Sequence, residues 1–414
     1  MKLVILGGGG FRVPLVHRAL VAAGWVDELV LHDVDAARLA SIRAVLAGGP
    51  RITATTDLDE ALRGADFVFS AIRVGGLAGR AADEQVAHAH GVLGQETVGA
   101  GGIAYGLRTV PVARDIARRV ARLAPGAWVV NFTNPAGLVT EAMAEHLGPR
   151  VIGICDSPVG LCRRVAHALG LDAVGGPGVG GVAFDYAGLN HLGWLQGVRR
   201  GDDDLLPALL ADSEALRSFE EGRLFGVEFL RALGVIPNEY LHYYYDTRDA
   251  LGDDRGAFLL RQQDRFYRGD VDWETTRLER EATYMAQDRD SLDGGGYEHV
   301  ALELMRAIAS GAPATLILNV RNGSTLAALD ADAVVEVPCA VDAAGARPLP
   351  VSPLPDHAAG LVTSVKAVDR LVLEGTRASA LKAFALHPLV DSTATAKSLL
   401  DTYVRRHPGL GYLS

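Results

Sequence analysis

The sequence predicts an α/β fold: a doubly wound, mainly parallel sheet in the N-terminal half, followed by an interleaved α+β half. Three observations lead there. Short apolar runs alternate with amphipathic helical stretches through the first part of the chain. Four glycines, Gly7 to Gly10, follow the first apolar run directly. After about residue 190 the alternation gives way to a mainly helical stretch, with a few strands late in the chain. The expected division is residues 1–190 and 191–414, packed closely, with the cleft between them as the natural ligand site.

Taken in order, Lys2–Leu6 and Glu28–His32 read as strands, as do residues 66–72, 127–131 and 150–154, each a short apolar run between turn formers. Helices are expected at 14–23, 108–123, 136–146 and 159–169, where the pattern is amphipathic. Pro14 suits the first turn of a helix, where its missing N–H is not needed. Strands at 315–320 and 333–337 then precede a helical segment at 364–386. No internal repeat, low-complexity tract or long polar linker interrupts the pattern.

The 414 residues are 49% hydrophobic and 22% charged, ample for a large core. A formal net charge of −10 disfavours a polyanion-binding surface, so nucleic acid is not an expected partner, while a local basic pocket could still hold one small anion. No apolar run is long enough to span a bilayer, and the opening MKLVILGGGG lacks the apolar segment and cleavage site of a secretory signal. The expectation is a cytoplasmic protein with no membrane partner. Three cysteines, Cys155, Cys162 and Cys339, fit reduced thiols rather than a disulfide framework.

The turn after the first strand is Gly7-Gly8-Gly9-Gly10-Phe11-Arg12. Glycines permit close backbone approach to a pyrophosphate, which the N-terminus of the next helix favours electrostatically. Gly7 and Gly9 match the first two glycines of a GxGxxG fingerprint, and Arg12 stands where the third belongs. Asp33, at the end of the second strand, offers a carboxylate that can accept from ribose hydroxyls and disfavour a 2′-phosphate. The pattern points to a Rossmann-like unit that binds NAD. The competing account is a tight strand-to-helix turn and nothing more.

Cys155 lies in GICDSP and His191 in GLNHLGW. A soft thiolate and an imidazole suit a divalent transition metal and leave positions open for substrate oxygens and water. A metal beside a nicotinamide suits acidifying carbon next to a carbonyl. Taken alone, Cys155 also reads as a small buried hydrophobe. Strand ends in such sheets deliver residues to the crevice, however, with Asp156 following at once and Asn190 flanking His191. Cys162 and Cys339 read as packing.

These motifs carry a resemblance. GLNHLGW, GICDSP, NFTNPAG at 131–137 and GQETVGAGGIAYGLR at 94–108, with PNEYLHYY at 237–244, RNGS at 321–324 and EVPC at 336–339, cover nearly the whole chain. In that order they resemble the NAD- and divalent-metal-dependent glycosidases of glycoside hydrolase family 4, which include 6-phospho-α- and 6-phospho-β-glucosidases. The resemblance implies a fold like that of lactate and malate dehydrogenases, NAD and a divalent metal, Mn²⁺ first, as cofactors, and a redox route to hydrolysis. In that route NAD takes hydride from sugar C3, a base removes the C2 proton, the C1 aglycone is eliminated, water adds and the hydride returns. Cys155 and His191 are the implied metal ligands, serving the C2 and C3 oxygens. Tyr240 is the implied base, although four tyrosines between 240 and 245 also read as an aromatic packing stripe. A phenol with its ordinary pKa near 10 is a poor base at neutral pH, so nearby positive charge must help. Asp156 resembles the acid that protonates the departing oxygen in the 6-phospho-α-glucosidase branch.

Arg80, in RVGGLAGRAADE, matches a family arginine that grips the 6-phosphate, Asn134 a substrate-contacting asparagine, and Arg261 an arginine near metal and substrate. Surface salt bridges are the alternative for each arginine. One departure stands out: Gly10 replaces the serine that approaches the sugar phosphate in the family, and Arg12 is available as a different anion contact. The implied substrate is a small phosphorylated disaccharide or glucoside. The second half and NEYLHYY resemble the 6-phospho-β-glucosidases, whereas Asp156 and GGIAYGLR resemble the α branch. Family enzymes acting on unphosphorylated sugars tend to carry histidine after the metal cysteine. The implied assembly is a homodimer or homotetramer. Two other classes stay open, a simple NAD-dependent dehydrogenase of sugars or hydroxy acids and a non-catalytic nucleotide-binding regulator.

Overall fold

A computed structural model describes residues 1–171, 181–248, 255–285 and 296–414. Six strands form the parallel part of its sheet: β1 (Lys2–Leu6), β2 (Glu28–His32), β3 (Arg51–Thr55), β4 (Phe67–Ser70), β5 (Trp128–Asn131) and β6 (Val151–Gly153). They run in the order β3-β2-β1-β4-β5-β6, all parallel. The order reverses between β1 and β4, so a crevice opens at the carboxyl ends of those strands. Leu3 to Leu6 and the whole of β4 are buried, which is why these strands read as unbroken apolar runs.

Local sequence explains how the crossovers start and stop. Helix Val13–Ala23 carries Pro14 in its first turn and ends on Gly24 at φ 72°, a left-handed cap. Helix Ala36–Val45 is capped by the Asp35 carboxylate, which accepts from the Ala37 and Arg38 N–H groups. The helix expected at 108–123 is the later part of a longer one, Gly99–Leu123. Its glycine-rich start hid it, since glycine is a poor helix former. Those glycines are there for packing. A Cβ on Gly101 would lie 2.1 Å from the Gln95 carbonyl oxygen, and one on Gly102 would lie 2.5 Å from the Thr97 carbonyl carbon. The 95–98 loop therefore rests directly on the helix backbone.

Strand β3 was not expected from the sequence. Among the described residues it is an edge strand paired only with β2, and RITAT shows no buried face to read. The stretch from 206 to 310 is mainly helical as expected, but the hairpin that precedes it, β7 (Val182–Leu189) and β8 (Leu192–Arg200), was not expected from the sequence. Its two turn residues are Asn190 and His191, with His191 at φ 61°. That pair lacks the Asn-Gly signature by which such turns are recognised. The remaining strands are β9 (Asp203–Asp204), β10 (Ile236–Pro237), β11 (Ala314–Arg321), β12 (Val334–Asp342) and β13 (Gly345–Pro348).

This antiparallel part, in the order β10-β8-β7-β12-β11, joins the parallel part where Asn319 of β11 pairs with Gly153 of β6. Strand β7 lies within residues 1–190, while its partners β8 and β12 lie beyond. One apolar cluster runs from Leu3 and Ile5 through Ile152 to Trp194, Leu304 and Val337, so both parts share a core. Each fully buried large side chain in it contributes roughly 1.5–3 kcal/mol. Among the described residues no helix is long and apolar enough to cross a membrane.

Candidate active site

At the crevice the glycine turn packs on the ends of β2 and β4. Gly7 sits at φ 84°, and a Cβ there would lie 2.5 Å from the Ala71 carbonyl oxygen. The Gly9 N–H donates to Asp33 Oδ2 at 2.9 Å, and Asp33 Oδ1 accepts from the Asp35 N–H at 3.0 Å. Gly7, Gly9 and Asp33 thus form one unit, and a carboxylate in this role keeps lone pairs for ribose hydroxyls. This arrangement fits NAD.

Three aromatic side chains from the C-terminal half hold the carbonyls of the same turn. Tyr267 Oη donates to Gly9 at 2.7 Å, Trp273 Nε1 to Phe11 at 2.8 Å and Tyr297 Oη to Arg12 at 3.4 Å. Each ring is covered by an arginine: Arg38 at 3.7 Å from the Tyr267 centroid, Arg18 at 4.7 Å from Trp273 and Arg12 at 4.4 Å from Tyr297. Tyr297 also stacks on Phe132 of NFTNPAG, with centroids 3.9 Å apart. Arg12, in the place of the third glycine, is therefore held over the Tyr297–Phe132 stack.

Cys155 and Asp156 follow the carboxyl end of β6. Asp156 occupies the N-cap position of helix Ser157–Ala168, yet its side chain makes no capping hydrogen bond. Its Oδ2 instead lies 3.3 Å from where a Cβ on Gly296 would be. Cys155 is buried, and burial pushes its thiol well up, with Glu336, Asp156 and Glu239 adding to the effect. A thiol among carboxylates becomes a thiolate only when a cation arrives.

His191 is buried and stacks face to face on Tyr240, with ring centroids 3.6 Å apart and planes 3° apart. Burial lowers its pKa to about 4 against the pull of Glu96, so the imidazole is neutral and able to act as a ligand. Burial likewise pushes the Tyr240 phenol well above 10, reinforced by Cys155, Glu96 and Glu239. Cys155, His191 and Tyr240 thus share one neighbourhood. Among the described residues no set of three or more His, Cys, Asp or Glu side chains converges as a cation site. A soft sulfur and a neutral imidazole are donors that would suit a divalent cation, leaving its other positions to substrate and water oxygens.

Arg80 is no surface ion pair. It is buried, with Nε 2.7 Å from Glu84 and Nη1 3.1 Å from Glu96, and Glu96 also meets Arg73 at 2.7 Å. Burial would raise the Glu96 carboxyl, but Arg73 and Arg80 outweigh it and hold it at about 2. The formal charges of Arg73, Arg80, Glu84 and Glu96 cancel.

Asn134 is half-buried in the loop between β5 and helix Ala136–Leu147, next to a cis peptide bond to Pro135. That loop is tied to the His191 hairpin, since the Ala136 N–H donates to Asn190 Oδ1 at 3.2 Å. Arg261 is the exposed one among the expected residues. Helix Arg255–Tyr267 buries Arg255, Gly256, Leu259, Gln262, Gln263 and Phe266, which leaves Arg261 on its exposed face. The same helix touches the site region through the Gly256 N–H, which donates to Glu84 at 2.7 Å, and through Tyr267.

Beneath the site lies a buried acid that sequence reasoning missed. Glu336 Oε1 accepts from Asn319 at 2.8 Å and Asn190 at 3.2 Å, and Oε2 accepts from the Tyr186 hydroxyl at 3.2 Å. Asn238 in turn donates to Tyr186 Oη at 3.0 Å. Burial raises the Glu336 carboxyl to about 7, although those three donors pull the other way. Three of the resembling motifs, GLNHLGW, PNEYLHYY and EVPC, meet in this net.

The family model for Family 4 glycosyl hydrolase matches residues 2–171, and that for the Family 4 glycosyl hydrolase C-terminal domain matches residues 186–390. The chain belongs to glycosyl hydrolase family 4. It is 33% identical to a protein of Bacillus subtilis (strain 168) named probable 6-phospho-beta-glucosidase, over 98% of this chain and 96% of that one. Two solved structures match with a TM-score of 0.84 at 25% identity. One is the 6-phospho-beta glucosidase of Thermotoga maritima with NAD and glucose-6-phosphate, covering 100% of both chains. The other is a 6-phospho-alpha-glucosidase from gut microorganisms with NAD and Mn²⁺, covering 100% of this chain and 99% of that one. A malate dehydrogenase of Plasmodium falciparum shares the fold at 12% identity and a TM-score of 0.51, over 91% of this chain and 98% of that one.

Within this family 4 chain, Arg73, Gln95, Glu96, Thr97 and Glu336 also border the site. Glu96 and Thr97 stand in GQETVG, and Glu336 opens EVPC, so the motifs pointed at the segments but not at these side chains. Arg73 stands seven positions before Arg80 in the same motif and carried no signal of its own.

Proposed function

We propose that this chain hydrolyses 6-phospho-β-glucosides with NAD and a divalent cation, Mn²⁺ being the cation carried by a solved relative. The observation that carries the reading is the stack of Tyr240 on His191 with Cys155 in the same neighbourhood, which puts a proton acceptor against a donor pair suited to a cation. When bound, NAD supplies a hydride acceptor and donor at sugar C3, and the cation supplies Lewis acidity at the sugar oxygens.

The chain's own residues do the rest. Tyr240 Oη takes the proton from C2. Stacking on His191 fixes its ring, and burial keeps the phenol protonated until positive charge enters the site. The Asp156 carboxyl, unused as a cap, protonates the oxygen departing from C1. Asn134 orients the sugar. Arg80 lies too deep and too well paired to meet a dianion alone, so Arg12 on Tyr297 supplies further positive charge for the 6-phosphate. Arg261, on the exposed face of its helix, is a further cation available to the substrate.

Asp156 favours one second reading, a 6-phospho-α-glucosidase. Chemistry at C2 and C3 does not require one anomeric configuration, so the two isomers are compatible with the same site. The reading also includes a homodimer or homotetramer working in the cytoplasm, where phosphorylated sugar and NAD are both held by their charge.

The test is incubation with NAD, Mn²⁺ and chromogenic α- and β-glucosides, each with and without a 6-phosphate. The expected outcome is release of aglycone from the 6-phospho-β-glucoside without NADH build-up, lost on chelation. NADH accumulating in proportion to product would instead indicate a dehydrogenase and overturn the proposal.

A further inference from the structure

The loop that rests on the glycines of helix Gly99–Leu123 makes a chain of hydrogen bonds ending on His191. Gln95 Oε1 accepts from the Thr97 N–H at 2.6 Å and the Val98 N–H at 2.8 Å. Backbone N–H groups can only donate, so the atom facing them is the amide oxygen and not the amide nitrogen. The Thr97 hydroxyl lies 3.0 Å from that same oxygen. The amide oxygen has no proton to give, so the proton between them is the hydroxyl's own. Thr97 Oγ1 is then left as an acceptor toward His191 Nδ1, 2.8 Å away. A neutral imidazole carries one proton. Placed on Nδ1 by this contact, it leaves the lone pair on Nε2.

We infer that Gln95 and Thr97 are positioning residues that hold His191 in its Nδ1–H tautomer, so that Nε2 is presented as the cation-binding atom. Two further observations agree. His191 sits at φ 61°, a left-handed conformation unusual for a residue other than glycine, which the surroundings must sustain. Gly101 and Gly102 let the loop carrying Gln95 and Thr97 lie against the helix, at a distance where any Cβ would displace it. The Tyr240 stack fixes the plane of the ring, and the Thr97 contact fixes its rotation and its proton. The inference rests on His191 being a ligand, as proposed above. A hydrogen bond to the second ring nitrogen of a ligating histidine, once removed, typically weakens metal binding 10–100-fold.

Full-length protein labelled with ¹⁵N-histidine is examined without metal by long-range ¹H–¹⁵N correlation, with the His191 signal assigned by its loss in His191→Ala. Mn²⁺ affinity is measured in parallel by electron paramagnetic resonance of the free ion. The wild type should show the Nδ1–H tautomer. Thr97→Val, nearly isosteric, should lose that preference and bind Mn²⁺ about ten-fold more weakly or worse, while Thr97→Ser should restore both. Gln95→Leu should act in the same direction as Thr97→Val. An Nε2–H tautomer in the wild type overturns the inference, as does unchanged Mn²⁺ affinity in Thr97→Val. If His191→Ala keeps its Mn²⁺ affinity, the ligand reading itself fails, and the tautomer signal of the wild type still reports separately on the Gln95–Thr97 contact.

Discussion

Glu336 makes the sharpest energetic prediction. Its carboxyl moves from the ordinary 4.5 to about 7 in the folded protein. The folded state therefore holds this proton more tightly than the unfolded state, so the contribution is fully present below about pH 4.5 and is lost as pH rises through about 7. At 1.36 kcal/mol per unit, the loss is about 3 kcal/mol. Glu336→Gln cannot ionise. Its amide oxygen can replace Oε1 toward Asn319 and Asn190, but its NH₂ would face a Tyr186 hydroxyl that already accepts from Asn238. The variant should thus lose about 1 kcal/mol for one unmatched hydrogen bond. In metal-free protein with chelator, urea unfolding should find Glu336→Gln within about 0.5 kcal/mol of wild type near pH 5, where the unfolded carboxyl has already largely ionised. Near pH 8.5 the variant should be more stable by about 2 kcal/mol. A difference between the two proteins that stays flat across that range would refute the assignment of a raised carboxyl.

Other substitutions test the site from different directions. Tyr240→Phe should keep the fold and NAD binding while abolishing aglycone release and exchange of the C2 proton with solvent, and retained exchange would remove Tyr240 as the base. Asp156→Asn should slow substrates with poor leaving groups far more than 4-nitrophenyl substrates, and an equal effect on both would count against an acid role. Gly102→Ala should destabilise by about 1–3 kcal/mol in chemical denaturation, because the new methyl would overlap the Thr97 backbone. It should also weaken Mn²⁺ binding, and normal affinity would show that the loop can move without consequence. Arg80→Ala removes one cation from two buried carboxylates and should lower stability by about 3–5 kcal/mol while raising KM chiefly for phosphorylated sugars. The first effect is read from thermal melts and the second from a pairwise comparison of substrates.

How far the sequence reached depends on whether each feature was written locally. β1, β2 and the helix after Gly10 were legible because apolar period, glycine turn and Pro14 all agree over a few neighbouring residues. β3 and the β7–β8 hairpin were not. An exposed edge strand shows no buried face, and Asn190-His191 is a turn whose strain is sustained by distant contacts rather than by a glycine. The same distinction divides the site. Cys155 and His191 stand in self-contained motifs, whereas Thr97 meets His191 across 94 positions and Asn190 meets Glu336 across 146. No local pattern encodes such pairs. Helical phase, likewise, decides that Arg255 is buried and Arg261 exposed on the same helix.

The aromatic donors around the glycine turn bear on portability. The turn's carbonyls at Gly9, Phe11 and Arg12 are satisfied by Tyr267, Trp273 and Tyr297, all far along the chain. A nucleotide-binding half cut out at its apparent border would lose the hydrogen-bond partners of its own fingerprint, along with the cover over Phe11. Transplanting it as a stand-alone cofactor module would fail first at the loop the graft was meant to carry. Damage to the helices between residues 255 and 310 should register as weakened nucleotide affinity, even where no nucleotide contact is touched.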